Sequence, residues 1–356
     1  MATVKKQRAY ADGTPLLGPS EARSPFSRRW ARRLVSISLF TALFALTWAL
    51  LPLLLLIGWP IDRLRRKSVI APASLLFALY FLFELLGVGI ALFIWLGTLG
   101  GSGRRRHRFL RWNLWLQCWW LRNLFGAGRR LFRFNVEITG EEAVQRGNFL
   151  FFIRHVSTAD TLLAGVFVSD RHGIALRYVL KESLLWDPCL DIVGNRLPNG
   201  FVRRGPDHRK QAVNEVVRLT RSMGPADGVL IYPEGTRFTP GKRARLLSSL
   251  EEKGDAQQLQ RARSLQHVLP PRLLGPLALL DRASDADVVF CAHTGFEKAL
   301  SFREFMAGGL GGITLHVGFW RVPRELIPHE RLARIEFLHE QWKKVDAWIA
   351  ERNDAS

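Results

Sequence analysis

At residues 149–160 the sequence reads FLFFIRHVSTAD, in which five consecutive apolar residues lead into His155 and then Asp160. A short apolar run of Phe and Ile that ends at polar residues is typical of a buried β-strand. Residues 161–163 then open an apolar, helix-like stretch, and Ser157 is a favourable residue for capping the start of a helix. We therefore predict that His155 lies at the end of a strand and that Asp160 lies in the first turn of the helix after it.

The spacing of His155 and Asp160 allows two physical interpretations. In the first, the Asp160 carboxylate reaches back to the imidazole of His155, as the buried carboxylate of a catalytic triad does. In the second, Ser157 and Asp160 form a capping box, which only secures the start of the helix. These residues taken alone do not decide between a catalytic pair and a helix cap.

Short apolar runs alternate with helix-like stretches in the middle of the chain. Residues 228–232 and 288–292 have the composition of buried strands, whereas residues 209–223 have helical spacing. This alternation is typical of an α/β domain. We place the domain at residues 140–320 and predict a helical segment at 321–356.

A second polar cluster, Pro233-Glu234-Gly235-Thr236-Arg237, directly follows the apolar run at 228–232. We expect the strand that precedes it to lie beside the strand that carries His155. The two polar clusters would then meet at one edge of the sheet, where α/β proteins commonly bind their ligands.

The two clusters together resemble a known family. His155 and Asp160, followed by residues 233–237, are similar to the signature pair of the glycerolipid acyltransferases, the 1-acylglycerol-3-phosphate acyltransferase (PlsC-like) family. The resemblance covers roughly residues 140–300 and implies an acyltransferase domain with a mixed central sheet flanked by helices. It also implies transfer of a fatty acyl group from acyl-CoA or acyl carrier protein to a lysophospholipid hydroxyl.

Further residues between the two signature motifs share this resemblance. Phe201 and Arg204, within residues 199–204, look like the acceptor-binding block of the family, and Lys181 looks like the lysine upstream of that block. Two features depart from the family pattern. Arg154 precedes the catalytic histidine where Asn is common, and the proline-rich apolar block usual after residues 233–237 is not clear around residues 292–294.

The resemblance implies a role for each of these residues. His155 would be the general base, since an imidazole with an ordinary pKa of about 6.5 can remove a hydroxyl proton at neutral pH. Asp160 would orient that imidazole, and the substrate hydroxyl itself would be the nucleophile. The expected acceptor-binding residues are Glu234, Gly235, Thr236, Arg237, Phe201, Arg204 and Lys181.

Within that set, the arginines are expected to grip the acceptor phosphate because a guanidinium group can bind phosphate through two hydrogen bonds. Lys181 is a weaker candidate because it carries only a point charge. Glu234 cannot bind phosphate, so we expect it either to bind the glycerol hydroxyl or to orient Arg237. Gly235 is expected to let the backbone approach the ligand closely.

The N-terminal third of the chain predicts attachment to a membrane. Residues 1–33 form a polar, basic stretch that we expect to be disordered. Apolar stretches at 34–59 and 69–99 are each long enough to cross a bilayer and predict a hairpin over residues 34–103. Residues 104–139 mix Trp, Leu and Phe with Arg, as an interfacial amphipathic helix does.

The charge of the chain indicates an anionic partner, because its formal net charge is +20. Twelve Trp and 23 Phe in so basic a chain favour anionic lipid headgroups over nucleic acid. Cations on both sides of the hairpin outnumber those of its turn, residues 62–67, so the catalytic domain is expected in the cytosol. A bacterial inner membrane or an endoplasmic reticulum would fit, and a shallow re-entrant hairpin is an alternative to a spanning one.

Several alternatives remain open from the sequence. The acceptor could be another lysophospholipid, such as lysophosphatidylinositol, and a non-catalytic basic membrane-binding module is a weaker possibility. The cysteines are scattered without metal-ligand spacing, so neither a metal site nor a disulfide framework is expected; they are Cys118, Cys189 and Cys291. No resident cofactor is expected, since the acyl thioester is a co-substrate.

Overall fold

The computed structural model describes residues 9–11, 16–17, 24–157, 159–203, 205–283, 285–299 and 302–354. Seven strands form one sheet: β1 (Asn135–Thr139), β2 (Phe149–Ile153), β3 (Ala175–Lys181), β4 (Gly200–Val202), β5 (Asp227–Ile231), β6 (Asp287–Thr294) and β7 (Thr314–Val322). The helices are α1 (Phe26–Leu64), α2 (Ile70–Gly97), α3 (Arg106–Phe132), α4 (Thr161–Ala164), α5 (Pro188–Arg196), α6 (Arg209–Leu219), α7 (Pro240–Glu252), α8 (Ala256–Arg263), α9 (Leu274–Arg282), α10 (Phe302–Met306) and α11 (Arg331–Asp354).

The sheet is mixed, with the strand order β1-β7-β6-β2-β5-β3-β4. Among the strand pairs of the described residues, only β6 and β7 run antiparallel. Strands β2 to β6 therefore point the same way, and their carboxyl ends share one edge. The predicted α/β class with a mixed sheet is confirmed.

Strand β2 is central because both of its faces are covered. Its side chains at Phe149, Phe151 and Ile153 pack in one core with α3 and α4, whereas Leu150 and Phe152 pack in a second core with α6, α9 and α11. All five residues are completely buried. A strand with apolar residues on both faces belongs in the middle of a parallel sheet, which explains its uninterrupted apolar sequence.

Helices α1 and α2 are both long and apolar enough to cross a membrane, each with a mean hydropathy of 2.3 over its most apolar window. Only 6% of that window in α1 and 22% in α2 is buried. The hairpin therefore presents an apolar surface suited to lipid. Helix α1 begins at Phe26, so residues 26–33 of the predicted basic tail are helical.

Helix α3 packs on the cores with one side and exposes aromatic residues on the other. One side packs into the cores, where Leu116 is fully buried, whereas Trp112 and Trp115 are 43% and 52% exposed. The amphipathic segment ends earlier than predicted, because residues 135–139 form strand β1, which pairs with β7.

The hairpin is fastened to the catalytic domain at its start. Arg32 and Arg33 donate hydrogen bonds to the buried Asp191 carboxylate of α5, at 2.8 and 3.0 Å. Further along the hairpin, Glu84 of α2 is fully buried and accepts a hydrogen bond from the backbone N–H of Cys189 at 3.1 Å. The carboxylate that is costly in lipid is thus used to dock α2 on α5.

Candidate active site

His155 and Asp160 form a close pair directly after β2. The Nδ1 atom of His155 lies 3.1 and 3.3 Å from the two carboxylate oxygens of Asp160. The Asp160 side chain is fully buried, whereas that of His155 is 14% exposed. The carboxylate therefore holds one ring nitrogen of His155 from inside the protein.

The Asp160 carboxylate also stabilises the loop that follows β2. Oδ2 of Asp160 accepts hydrogen bonds from the backbone N–H groups of Val156 and Ser157, at 2.6 and 2.8 Å. The Ser157 hydroxyl accepts from the N–H of Ala159, and α4 begins only at Thr161. The prediction that Ser157 caps this helix is wrong, because its hydroxyl closes a tight turn before the helix starts. The contacts of Asp160 combine the imidazole contact with half of a capping box.

The segment after β5 positions His155 from the other side. The Tyr232 ring packs on the imidazole, with ring centroids 4.2 Å apart. The N–H of His155 donates to Oε1 of Glu234 at 2.9 Å, and the C=O of His155 accepts from the N–H of Phe238 at 2.7 Å. The predicted meeting of the two clusters is thus present, and it fixes both the backbone and the ring plane of His155.

Glu234 connects three segments of the site. Its Oε2 accepts a hydrogen bond from the N–H of Leu269 at 2.9 Å, while its Oε1 holds His155. Burial raises the pKa of the Glu234 carboxyl to about 8, although the two backbone N–H groups oppose that shift. Both oxygens of Glu234 thus accept from backbone N–H groups, and its expected contact with the glycerol hydroxyl or with Arg237 stays a prediction.

Arg154, which stands where the family commonly has Asn, is buried beneath His155 and Asp160. Its guanidinium group donates to the carbonyl of His267 at 2.7 Å, to the carbonyl of His293 at 2.6 Å, and to Glu297. His293 in turn contacts the carbonyl of Arg154 through Nε2 at 3.0 Å, and that Nε2 is 3.8 Å from Oδ2 of Asp160. Burial lowers the pKa of His293, which favours its neutral form.

Basic side chains surround the turn formed by residues 233–237. Arg237 is exposed, and Nζ of Lys242 donates to the Thr236 hydroxyl and to the carbonyl of Arg237, both at 2.8 Å. Gly235 has a φ of +66°, and a Cβ atom there would lie 2.7 Å from Cδ of Arg272. Glycine is therefore required both for the turn and for the packing of Arg272. Neither Lys242 nor Arg272 was predicted from the sequence as a site residue.

Phe201 and Lys181, two of the remaining predicted residues, lie along the same edge of the sheet. Phe201 of β4 pairs in register with Leu180 of β3, and Lys181 is exposed at the last position of β3. Arg204 lies outside the described residues. Arg203 forms an ion pair with Glu182 on the surface. The roles of Phe201, Lys181 and Arg204 stay predictions.

A histidine held by a buried carboxylate at the carboxyl ends of parallel strands is suited to accepting and returning a proton at a substrate group. Residues 135–262 match the family model described as Acyltransferase. The mouse (Mus musculus) protein 1-acyl-sn-glycerol-3-phosphate acyltransferase epsilon is 25% identical over 229 residues, which cover 61% of each chain. The matched region thus spans less than two thirds of that relative.

Among solved structures, the chain is similar to the 1-acyl-sn-glycerophosphate (LPA) acyltransferase PlsC from Thermotoga maritima. The TM-score is 0.48 and the sequence identity is 16%, over 75% of this chain and 95% of that one. The family model and the curated relative thus support an acyltransferase domain similar to those of PlsC-like acyltransferases.

Proposed function

We propose that this acyltransferase moves a fatty acyl group from acyl-CoA or acyl carrier protein to the free hydroxyl of 1-acylglycerol-3-phosphate. The observation that carries the proposal is the contact of Nδ1 of His155 with the buried Asp160 carboxylate. The opposite ring nitrogen, Nε2, is then the atom available to a substrate. The mouse relative, which is named for 1-acylglycerol-3-phosphate, supports this acceptor.

The reaction needs one proton transfer and one bond exchange. Nε2 of His155 takes the proton of the acceptor hydroxyl while that oxygen attacks the thioester carbonyl. The carbon–sulfur bond then breaks, and the thiolate leaves and takes up a proton, which His155 can return. Asp160 stabilises the imidazolium that forms between these steps, because its carboxylate lies 3.1 Å from Nδ1.

The basic surface of the 233–237 turn is suited to the phosphate of the acceptor. Arg237 carries a planar group that can hold two phosphate oxygens, and the turn that bears it also fixes the backbone of His155 through Glu234. A phosphate bound by Arg237 would therefore lie at a defined position relative to His155, because the same turn contacts the backbone of His155. Lys242 and Arg272 supply further positive charge beside the same turn.

Replacing Arg237 by Ala is expected to raise the KM for lysophosphatidate, or to lower kcat, by roughly 10- to 100-fold, because a hydrogen bond to a charged group contributes about 1.5–3 kcal/mol. Arg237→Lys should be affected less, since it keeps the charge but loses the planar group. Steady-state kinetics with lysophosphatidate and with a neutral monoacylglycerol measure the effect. The loss of activity in Arg237→Ala should be smaller on the neutral acceptor. The control variant Arg245→Ala, which changes an exposed arginine of α7, should behave as wild type. Equal impairment on both acceptors would contradict phosphate binding by Arg237.

We also propose that the hairpin is embedded from one face of the membrane, with its turn on the side of the catalytic domain. Arg65 and Lys67, at the turn, donate hydrogen bonds to the carbonyls of Met306 and Ala307, at 3.4 and 3.0 Å. Arg33, at the other end of α1, is bound to the same domain at Asp191. Both ends of a helical stretch about 48 Å long are thus bound to the catalytic domain. A hairpin that crossed the bilayer would carry its turn to the far side.

Cysteine labelling tests this topology. Arg66→Cys, at the exposed turn, should react with a membrane-impermeant maleimide from the same side as Ser102→Cys, which is exposed just after the hairpin. The native cysteines are buried and give a low background. In sealed inside-out vesicles of a bacterial inner membrane both positions should label, and in intact cells neither should. Labelling of the two positions from opposite sides would show a spanning hairpin.

A further inference from the structure

A large cavity lies away from the catalytic pair. It has a volume of about 1070 Å³, and the described residues that line it come mainly from α1, α2, α3, α5 and the strands β3 and β4. None of these lining residues belongs to 154–160 or 232–237, although Phe201, a predicted acceptor-binding residue, is among them. The cavity is therefore formed where the membrane hairpin meets the catalytic domain.

One wall of the cavity carries more positive charge than its carboxylates balance. Arg32 and Arg33 share a single fully buried carboxylate, that of Asp191. Arg196, on the same wall, donates to the carbonyl of Ala91 at 2.7 Å, which is a neutral acceptor. Burial lowers the pKa of Arg196 to about 10, and the neighbouring charge of Arg33 contributes to this shift.

Two of the lining arginines also have unused donors. The Nε atoms of Arg29 and Arg32 are buried and have no hydrogen-bond partner within the described residues. Arg106, at the start of α3, lies over the Phe109 ring at 6.0 Å and also lines the cavity. Buried donors without partners are costly, so an acceptor bound at this place would stabilise the structure.

The opposite wall is apolar and belongs to the membrane helices. Ile37 of α1 and Val88, Leu92 and Trp95 of α2 line it. Leu92 and Trp95 are also 54% and 48% exposed at the surface of the hairpin. The cavity thus adjoins the surface that the hairpin offers to lipid, with cations on one side and apolar groups on the other.

We propose that this cavity binds an intact anionic phospholipid of the bilayer, with its phosphate among Arg29, Arg32 and Arg106 and its acyl chains along α2. A diacyl lipid has no free hydroxyl on its glycerol backbone to accept an acyl group there, so it occupies the site as a bound ligand and not as the acceptor. A lipid at this position contacts both the hairpin and the catalytic domain. It therefore strengthens their docking.

Native mass spectrometry of the full-length protein in a neutral detergent tests the proposal. Dioleoyl phosphatidylglycerol should bind at least about tenfold more tightly than dioleoyl phosphatidylcholine, a difference of about 1.4 kcal/mol. The variant Arg29→Gln/Arg106→Gln should lose most of this preference. The variant Arg104→Gln/Arg105→Gln removes the same charge from exposed positions just before α3 and should keep the preference.

A fluorescence measurement covers the case in which the Arg29→Gln/Arg106→Gln variant does not fold. Phosphatidylglycerol with brominated chains should quench the wild-type protein more than brominated phosphatidylcholine, because Trp30 and Trp95 line the cavity. The variant Trp30→Phe/Trp95→Phe should remove that difference.

Equal binding of the two lipids, or equal losses in the two arginine variants, would overturn the proposal. Displacement of phosphatidylglycerol by millimolar inorganic phosphate would show a site for free phosphate, and displacement by acyl-CoA would show a donor site; either result would overturn it. The His155→Ala variant should bind phosphatidylglycerol as the wild type does. The lipid site can therefore be tested independently of the proposed acyl transfer.

Discussion

The His155→Ala variant is expected to lose acyl-transfer activity by at least about 10²-fold, because general-base catalysis typically contributes 10²–10⁴-fold. The close neighbours of His155 cannot replace it. The Tyr232 hydroxyl is buried, and burial together with the Asp160 charge raises its pKa well above the ordinary value of a tyrosine. His293 is fully buried beneath the pair, where substrate cannot reach it. Initial rates of thiol release with lysophosphatidate measure the loss.

A histidine elsewhere in the sheet serves as the control for this variant. His316 of β7, two strands away from β2, contacts Glu137 of the edge strand β1, so His316→Ala should keep nearly all of the activity. Circular dichroism should show that both variants remain folded. Retention of more than about a tenth of wild-type turnover by a folded His155→Ala enzyme would contradict the role of His155 as general base.

The Asp160→Asn variant is expected to lose on the order of 10² or more in kcat, with a small loss of stability. The asparagine oxygen can still accept the N–H groups of Val156 and Ser157, which Oδ2 of Asp160 accepts now. The amide NH₂ group would then face Nδ1 of His155, which would have to become an acceptor. The ring proton would move to Nε2, and the nitrogen that should take the hydroxyl proton would already be protonated.

The stability of the Asp160→Asn variant separates the two interpretations of Asp160. Thermal unfolding and turnover should be compared with Asp170→Asn, which changes a partly exposed carboxylate paired with Arg122. The catalytic role predicts low activity at near-normal stability for Asp160→Asn only. A less stable but active Asp160→Asn enzyme would mean that this carboxylate serves chiefly to secure the loop.

The sequence predicted the parts of the site that depend on short separations and on strand pairing. His155 and Asp160 are close in the chain, so their contact follows from the strand end and the tight turn. The 233–237 turn reaches His155 because β5 pairs with β2, and both strands were visible as apolar runs. Periodicity and turn residues carry this information within short windows.

The roles of Glu234 and Arg154 could not be predicted, because their partners are distant in the sequence. Glu234 binds the backbone of Leu269, and Arg154 binds backbone at His267 and His293. Backbone N–H and C=O groups have no sequence signature. In the sequence, a charged residue that is buried and binds them therefore cannot be distinguished from a charged residue on the surface. Only the arrangement in space shows that these two side chains hold the loop that carries His155.

The docking of the hairpin on the α/β domain could not be predicted from the sequence for a similar reason. Arg32 and Arg33 were part of a stretch whose composition indicated disorder, yet they bind a carboxylate more than 150 residues away, at Asp191. Glu84 lies within an apolar helix, and its hydrogen-bond partner on α5 is more than 100 residues away in the sequence. The polar residues of the hairpin are explained by the domain on which it packs.

The most direct test of the proposed activity is to incubate the purified full-length protein with an acyl thioester and lysophosphatidate and to identify the products by mass spectrometry. Both acyl-CoA and acyl carrier protein should be supplied as donors, and lysophosphatidylinositol and lysophosphatidylcholine should be included as competing acceptors. We expect phosphatidate to form in step with the released thiol, preferentially over the other products, with wild-type protein and not with His155→Ala. Absence of any acylated lysophospholipid with both donors, from folded wild-type protein, would contradict the proposed acyl transfer.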